Sequence, residues 1–518
     1  MPRRLVARLV ALAVLAGAAL SAAAAPAAAQ ADPRPALRVA VQRNPPLFDP
    51  AYSVSNVAWR VNHNLFDTLI AGDDEGRLRP ALATVWRRID ERTLELTLRP
   101  GVRFHDGTVM TAADVAFTFG PERMTGEGAP LRAQIRPLLG GIESVEAIDD
   151  ATVRVTTRRP DPLIAQRLAT FPAQIVSRAA WLAAPDFQSW ARRPVGTGPY
   201  RIVDSRDNDF VQLAAHDAWW GGRPTASAIR FEAAPEVAAR LTGLETGRYG
   251  IATDLPPDQL DRVAARPDLE VAGGPIGNHR VIVFDRNHPV LRDVRVRRAL
   301  SLAIDRRLIV ETLWGGRVDI PRGNQFPAFG PLFVADRAPP AYDPDAARAL
   351  LRAAGYRGQP IEYRINNNYY ANEIATAQVL AEMWKAVGLN IRLSIKENWT
   401  QILEPAGRGI RNWSNAMIYP DPVGHAWRLY GPGSPVRRGT PEWSNDEFDR
   451  LGRVLEASLE LPARRAAWTR MLAILEEEDP PAAVLHQYAI FYGKRRDVRW
   501  RAGGSEEMDF RPANLSFR

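Results

Sequence analysis

The order of strand-like and helix-like segments in this 518-residue chain predicts an α/β fold. Beyond residue 280, short apolar runs alternate with longer stretches in which apolar residues recur at helical spacing. The connections between them are short, as in βαβ units built around a largely parallel sheet. The segment 93–98 adds a clear strand pattern, because Thr93, Glu95 and Thr97 alternate with three leucines.

Before residue 280 the predicted elements are separated by frequent turns. Asp207-Asn208-Asp209 marks the tip of a hairpin, and residues 73–76 form a turn that closes the first helix. The strands are predicted at 37–41, 93–98, 152–156, 201–203, 210–214 and 229–232, and the helices at 61–70, from 111 onward, and at 236–246. The chain length indicates about three domains.

After residue 280 strands and helices alternate more regularly. Val296, Leu300 and Leu308 lie on one face of the first helix in this part. Gly355 and Gly388 follow two later helices, at positions where glycine commonly ends a helix. The strands are predicted at 281–284, 361–365, 391–395 and 485–492, and the helices at 294–314, 345–354, 371–387 and 461–477.

Residues 1–29 have the pattern of a secretory signal peptide. Three arginines precede an apolar core at residues 9–20, which is too short to span a bilayer comfortably. Small residues at 27–29 suit a signal peptidase, so we expect the mature, periplasmic chain to begin near Gln30. An uncleaved anchor is the alternative, and the short core argues against it.

The composition excludes several classes of function. The chain has no cysteine, which rules out thiol catalysis, thiolate metal sites, disulfides and a lipid-bearing cysteine. Its formal net charge is +8, but the arginines are scattered among carboxylates. The one basic cluster, at residues 494–501, is interpreted as a charged terminal strand, so no nucleic-acid partner is expected.

Enzyme signatures are missing from the sequence. It contains no Gly-x-Ser-x-Gly elbow, no P-loop, no His-Glu-x-x-His pair and no Gly-x-Gly-x-x-Gly fingerprint. Carboxylates are plentiful, yet no spacing marks a catalytic pair. We therefore expect no enzyme and no cofactor, with a secreted hydrolase as the remote alternative.

The most informative segment follows the strand at 93–98. Pro100-Gly101 ends that strand, and Asp106-Gly107 forms a second tight turn. Thr111 and Asp114 then have the spacing of a capping box at the start of a helix. The run therefore combines a strand, two turns and a helix start.

This run closely resembles one in the extracytoplasmic solute-binding proteins of family 5, which serve peptide, nickel and opine importers. Four further stretches are similar to the same family in the same order, so the resemblance covers about residues 36–500. They are residues 194–200 (PVGTGPY), 218–224 (AWWGGRP), 293–306 (which begins DVRVRRAL) and 342–356 (which begins YDP).

The resemblance implies a type II periplasmic-binding-protein clamshell with two hinged lobes and an extra inserted domain. Lobe I would comprise residues 36–80, 190–280 and 490–518, the extra domain residues 81–189, and lobe II residues 281–489. The closed form would dock, as a monomer, on an inner-membrane ABC permease with its ATPase subunits. The expected solute is an oligopeptide or a peptide-like molecule, and the alternative is an opine, a glycoside or a metal chelate.

In peptide-binding members of the family, an Asp three residues before an acidic-Pro pair binds the ligand's α-ammonium group. The pair here resembles Asp421-Pro422, and Ile418 occupies the position where that carboxylate is expected. Two interpretations stay open. Either Asp421 takes the role through a shifted loop, or the ligand has no free amine at that place.

Other candidate ligand-binding residues come from several parts of the chain. Trp399 resembles the tryptophan that lines the cleft in peptide binders, where it would offer a flat apolar wall. The remaining candidates share aromatic or uncharged polar side chains near expected strand ends and lobe edges: Tyr52, Ser53, Asn278, His279, Tyr369, Asn412, Trp413, Asn415 and Tyr419.

The seven histidines do not have the spacing of a local metal site. A site could still assemble from distant positions such as His279, His425 and His486. Hydrogen-bonded or core histidines are the commoner case, so no metal ligand is predicted.

Overall fold

The computed structural model describes residues 32–52, 55–73, 76–366, 369–434, 437 and 441–518. The predicted signal peptide at residues 1–29 lies outside this part of the chain. Among the described residues, no helix combines the length and the apolar character that crossing a bilayer requires.

The strands are short except for two long ones, β12 and β16. They are β1 Ala36–Val41, β2 Ile70–Gly72, β3 Leu78–Pro80, β4 Ala83–Arg88, β5 Thr93–Leu98, β6 Ile142–Ala147, β7 Thr152–Thr157, β8 Tyr200–Arg206, β9 Phe210–Ala215, β10 Ala228–Ala233, β11 Ile251–Ala252, β12 Leu269–Phe284, β13 Pro360–Asn366, β14 Asn390–Lys396, β15 Ile410–Ala416, β16 Ala482–Arg495, β17 Val498–Trp500 and β18 Leu515–Phe517.

The helices are mostly of two to four turns. They are α1 Asn56–Leu65, α2 Ala112–Thr118, α3 Arg132–Leu139, α4 Ile164–Arg167, α5 Arg178–Ala183, α6 Phe187–Arg192, α7 Val237–Glu245, α8 Leu260–Ala264, α9 Val294–Leu302, α10 Arg306–Trp314, α11 Pro344–Ala353, α12 Glu373–Ala386, α13 Trp399–Leu403, α14 Ala426–Tyr430, α15 Asp446–Ala457 and α16 Leu461–Ala473.

A ten-stranded sheet runs through both halves of the molecule in the order β14-β13-β15-β12-β16-β11-β1-β10-β9-β8. The sheet is mixed, so the expectation of a largely parallel sheet is wrong. Strand β13 is parallel to both of its neighbours, whereas β12 is antiparallel to β15 and β16. Hydrophobic patterns identify strands but carry no information about their direction.

The two long antiparallel strands β12 and β16 join the halves of the sheet. They pair continuously from Leu269 to Pro275, and pairing resumes at His279 after a break in register. Gly273 lies within this stretch with φ of +86°, a conformation that favours glycine. The ladder is interrupted at this break, so we expect the lobes to bend relative to each other here.

A separate four-stranded antiparallel sheet, β4-β5-β7-β6, lies within the predicted extra domain. Its apolar core continues into side chains of the second half, including Phe326, Tyr419 and Trp427. Arg167 of α4 also crosses this boundary and pairs with Glu456 of α15 at 2.9 Å. The extra domain thus packs against lobe II, and its boundaries at 81–189 stay a prediction.

Several element bounds differ from those predicted. The helix predicted at 61–70 is wrong, because α1 ends at Leu65 and Thr68 instead pairs with Gln174 as an isolated bridge. The single helix predicted at 294–314 is two helices, since the Asp305 side chain caps a new one by accepting from Leu308 N. The last helix, predicted at 461–477, is α-helical only as far as Ala473. A π-helical turn, Ile474–Glu478, follows it.

The predicted turns and helix start after β5 are confirmed. Gly101 and Gly107 adopt φ of +72° and +88°. Thr111 N donates to the Asp114 carboxylate at 3.0 Å, as in a capping box.

A fully buried ion pair fixes the loop that leads to α1. Asp49 accepts from Arg123 at 2.9 Å and from the Trp190 indole at 2.8 Å, and neither charged side chain is exposed. The same carboxylate accepts from Ala51 N and Tyr52 N. These contacts tie the loop with Tyr52 to the extra domain and to α6.

We expect Asp49→Asn to lower the free energy of unfolding by about 3–5 kcal/mol, because it leaves the Arg123 guanidinium buried without its counter-charge. Denaturant unfolding followed by tryptophan fluorescence measures this. The control is Asp207→Asn, whose carboxylate is 54% exposed and 3.4 Å from Arg192. It should change stability by less than about 1 kcal/mol, and equal effects would contradict the structural role of Asp49.

Candidate functional site

A cavity of about 300 Å³ lies between the two halves of the sheet. Its walls come from the loop after β1, from α1, from the loop after β10 and α7, from the loop after β11, from the start of α12 and from β16. The charged and aromatic residues among them are Arg43, Arg60, Glu236, Arg240, Asp254, Tyr369, Tyr370, Glu373 and Tyr488. Because both lobes and the connecting strand contribute, a bound molecule would contact all three.

An ion pair forms the lobe I wall of this cavity. Arg60 donates to both oxygens of Asp254 at 2.6 Å, and Thr253 Oγ1 donates to the same carboxylate at 2.6 Å. Burial alone would raise the pKa of Asp254, but the Arg60 charge lowers it to about 2. Asp254 has a left-handed φ of +54°, and strain of this kind clusters at functional sites.

Tyrosine rings form the opposite wall, and a group of tryptophan rings that do not themselves line the cavity packs against them. Trp399 lies 5.0 Å from Tyr369 and 4.9 Å from Trp413, measured between ring centroids, and both contacts are edge-to-face. Tyr370 extends the group towards Tyr488, and the Arg280 guanidinium stacks 3.4 Å above its ring. The structure therefore brings Tyr369, Trp399 and Trp413, three predicted ligand-binding residues, into one cluster.

A second cavity, of about 180 Å³, lies where the loop after β15 meets the extra domain and the C-terminal segment. Ile418 and Tyr419 line it from lobe II, and Gly504 and Ser505 line it from the C-terminal segment. The Tyr419 hydroxyl is buried and has no hydrogen-bond partner among the described residues. Ile418, the position at which the family resemblance leads one to expect a carboxylate, thus faces a cavity.

Strand β12 directs two predicted residues to opposite faces. Asn278 donates to the Glu506 carboxylate at 3.0 Å. The His279 ring stacks on Phe326 at 3.9 Å and meets His425 edge-on at 5.2 Å. Burial lowers the pKa of His279 to about 3, so this imidazole is neutral at pH 7.

Histidines were the candidates for a distributed metal site. His279 and His425 are neighbours, and burial lowers the pKa of His486 to about 3. In the part of the chain that the structure describes, no group of three or more His, Cys, Asp or Glu side chains is arranged to hold a metal ion.

Three predicted residues lie away from the aromatic cluster. Asn412 is buried, accepts from the Tyr363 hydroxyl and donates to Glu373 at 3.1 Å. Asn415 is buried within β15, where its amide oxygen is 3.5 Å from Arg428. Tyr52 is 37% exposed at the surface and contacts Phe187, while Ser53 lies outside the described residues.

Asp421 has a structural role within lobe II. Arg464 donates to both of its oxygens, at 2.9 and 2.7 Å, and Val423 N donates to Oδ1 at 2.9 Å. The side chain is buried, and burial raises its pKa despite the neighbouring guanidinium. We therefore no longer propose Asp421 as a ligand-binding residue, because its oxygens already accept hydrogen bonds from Arg464 and from the backbone of the following turn.

Sequence reasoning missed Arg60, Asp254, Tyr488 and Glu506. Tyr488 lies in a predicted apolar strand, where an aromatic residue indicates core packing and not a binding site. Glu506 follows a Gly-Gly-Ser stretch that is typical of a surface loop. No local pattern identifies Arg60 or Asp254, which are 194 residues apart. Their roles depend on contacts that only the folded chain creates.

A sequence model of the family described as "Bacterial extracellular solute-binding proteins, family 5 Middle" matches residues 77–434, more than half of the chain. The chain belongs to this family. The predicted recognition is confirmed, and the protein is a solute-binding component of the ABC importer class.

Relatives and solved structures agree with this membership. The glutathione-binding protein GsiB of Pectobacterium atrosepticum is 26% identical over 378 residues, which cover 72% of this chain and 71% of the relative. A dipeptide-binding protein from Pseudoalteromonas sp. SM9913, in complex with Met-Leu, has a TM-score of 0.84 at 23% identity, covering 93% of this chain and 100% of that one.

A protein whose structure was solved with agropinic acid bound has the same fold. AgaA from A. tumefacien R10, in complex with agropinic acid, has a TM-score of 0.80 at 20% identity, covering 93% of this chain and 99% of that one. The type II periplasmic-binding-protein clamshell predicted for this family 5 protein is therefore confirmed.

We expect Asp421→Asn to lower the free energy of unfolding by about 3–5 kcal/mol, because Arg464 loses its buried counter-charge. The matched control is Asp343→Asn at the exposed N-cap of α11. Asn caps helices as well as Asp does, so the control should be nearly neutral. A selective loss of affinity for amine-bearing solutes, without lower stability, would restore Asp421 to the ligand site.

Proposed function

We propose that this family 5 protein captures an oligopeptide or a peptide-like molecule between its lobes and delivers it to an inner-membrane ABC permease. The observation that carries this proposal is the cavity between the halves of the sheet, with an aromatic wall opposite the Arg60–Asp254 pair. Ligand sites commonly combine apolar walls with a few fixed polar groups.

The aromatic wall supports a peptide ligand. Flat rings such as Tyr369 and Tyr370, with Trp399 packed against them, can accept side chains of varied shape. The polar groups around them can bind a peptide backbone. GsiB is named for glutathione, and the Pseudoalteromonas protein holds a dipeptide. Both relatives therefore point to short peptides.

The alternative solute is an opine-like molecule rich in carboxylates. Arg43 lines the cavity, lies 5.6 Å from the Tyr369 ring centroid and has no ion-pair partner among the described residues. A free guanidinium at that place would bind a carboxylate. AgaA, which holds agropinic acid, supports this reading.

The proposal includes the cellular setting. The protein would be exported through a signal peptide at residues 1–29, act as a periplasmic monomer, and carry out no chemistry on its solute. A hydrolase would instead turn over chromogenic peptide or ester substrates. The intact mass of the protein purified from the periplasm, compared with the mass of the full sequence, would test whether residues 1–29 are removed.

We expect a cognate solute at 100 times its dissociation constant to stabilise the protein by about 2.7 kcal/mol. Native mass spectrometry of the purified protein would identify a co-purifying solute, and thermal unfolding with a panel of di- and tripeptides and opines would rank candidates. Turnover of the panel, or no stabilisation by any member, would reject the proposed function.

We expect Trp399→Ala to weaken peptide binding roughly tenfold, or about 1.4 kcal/mol, because it removes the ring that joins Tyr369 to Trp413. Calorimetry measures the affinity, and circular dichroism checks the fold. Trp86→Ala is the control, since Trp86 is a partly buried tryptophan in β4 of the extra domain. Unchanged affinity for Trp399→Ala would remove this ring from the site.

A further inference from the structure

The Glu506 carboxylate is buried in the region between the lobes without a counter-charge. Its side chain belongs to a residue only 5% exposed, in the C-terminal segment after β17. Oε1 accepts from the Asn278 amide at 3.0 Å, whereas Oε2 has no hydrogen-bond partner among the described residues. Glu506 also makes no ion pair within the described part of the chain.

The nearest arginines are engaged elsewhere. Arg60 directs its two terminal nitrogens to Asp254, and Arg280 donates to the Trp413 carbonyl at 2.8 Å while it stacks on Tyr370. Their charges act on Glu506 only from a distance. Burial raises the pKa of Glu506 to about 7, although Arg60 and Asn278 oppose the rise.

A buried carboxylate with one open oxygen is unfavourable unless a cation or a donor reaches it. Desolvating an unpaired charge costs several kcal/mol in real proteins. The fold retains this group at the junction of the two lobes rather than in a rigid core. A missing partner supplied from outside the chain explains that arrangement.

Glu506 lies close to both cavities, although its own side chain lines neither of them. Its neighbours Gly504 and Ser505 line the cavity that Ile418 faces, and Gly277 N donates to the Gly504 carbonyl at 2.9 Å. On the other side, the charge of Glu506 contributes to raising the pKa of Tyr369 and Tyr488, which line the larger cavity. A solute spanning the interlobe space would therefore pass close to this carboxylate.

We propose that Glu506, oriented by Asn278, binds a primary ammonium group of the solute, such as the free N-terminus of a short peptide. This inference rests on the proposed function and narrows its solute class to amine-bearing molecules. The rings of Tyr369 and Tyr488, whose pKa values the charge of Glu506 raises, are themselves compatible with a cation. The ammonium group would be held from the C-terminal segment of lobe I.

The test compares unmodified dipeptides with their N-acetylated forms by calorimetry on the full-length mature protein. For the natural sequence, we expect acetylation to weaken binding at least roughly tenfold, because it removes the cation that pairs with Glu506. Glu506→Gln should weaken binding of the free peptide to a similar extent and abolish the discrimination between the two forms. Glu143→Gln, an exposed carboxylate of the extra domain paired with Arg92, is the control.

The outcomes separate the inference from the proposed function. Equal binding of free and acetylated peptides, or discrimination that survives in Glu506→Gln, would overturn the role of Glu506 while peptide binding itself stands. Binding of neither form would reject the proposed peptide function. The comparison on the natural sequence needs no variant, and a higher melting temperature of ligand-free Glu506→Gln would independently confirm that the natural carboxylate is unpaired.

Discussion

The crossover of β12 and β16 is the constraint on which the site depends. These two antiparallel strands belong to both halves of the ten-stranded sheet, and their hydrogen-bonded ladder fixes where each half begins. Asn278 and Arg280 project from β12 and Tyr488 from β16, so three residues at the interlobe site are held by backbone pairing rather than by loops. Bending at the register break can change the cleft without dissolving either lobe.

Buried arginines carry much of the remaining organisation. The chain has 67 basic residues, nearly all of them arginine, and several are paired with carboxylates in the interior. The Asp49–Arg123 pair fixes the loop before α1, and Asp421–Arg464 fixes the turn after β15. Arg60–Asp254 forms a wall of the larger cavity. Planar guanidinium groups suit such two-pronged contacts better than lysine does.

Local features of the fold could be predicted where adjacent residues decide the outcome. The alternation at 93–98, the glycine turns and the Thr111–Asp114 cap are all short-range, and the structure contains each of them. Asp305 is a residue type that commonly caps a helix start, but apolar residues at helical spacing before and after it favoured a single helix at 294–314. The clamshell fold was predicted only from the family resemblance, because hydrophobic periodicity does not specify the order of strands in a sheet.

The site could be predicted only in part. Trp399 could be identified from the family resemblance, Tyr369 from its place after a strand, and Trp413 as part of an aromatic–amide cluster, although it lies within β15. Asp421 was a candidate as well, but Arg464, 43 residues away, binds its carboxylate. Glu506 contacts Asn278 across 228 residues, and no local pattern reveals such a pair. The role of a residue is therefore hardest to predict from sequence when it depends on a partner far away in the chain.

The apolar layer that the extra domain shares with lobe II has an energetic consequence. Moving the extra domain away from lobe II would uncover part of this layer and break the Arg167–Glu456 bridge, and both changes oppose that motion. Any bending that separates these two parts therefore carries a free-energy cost that does not depend on the solute.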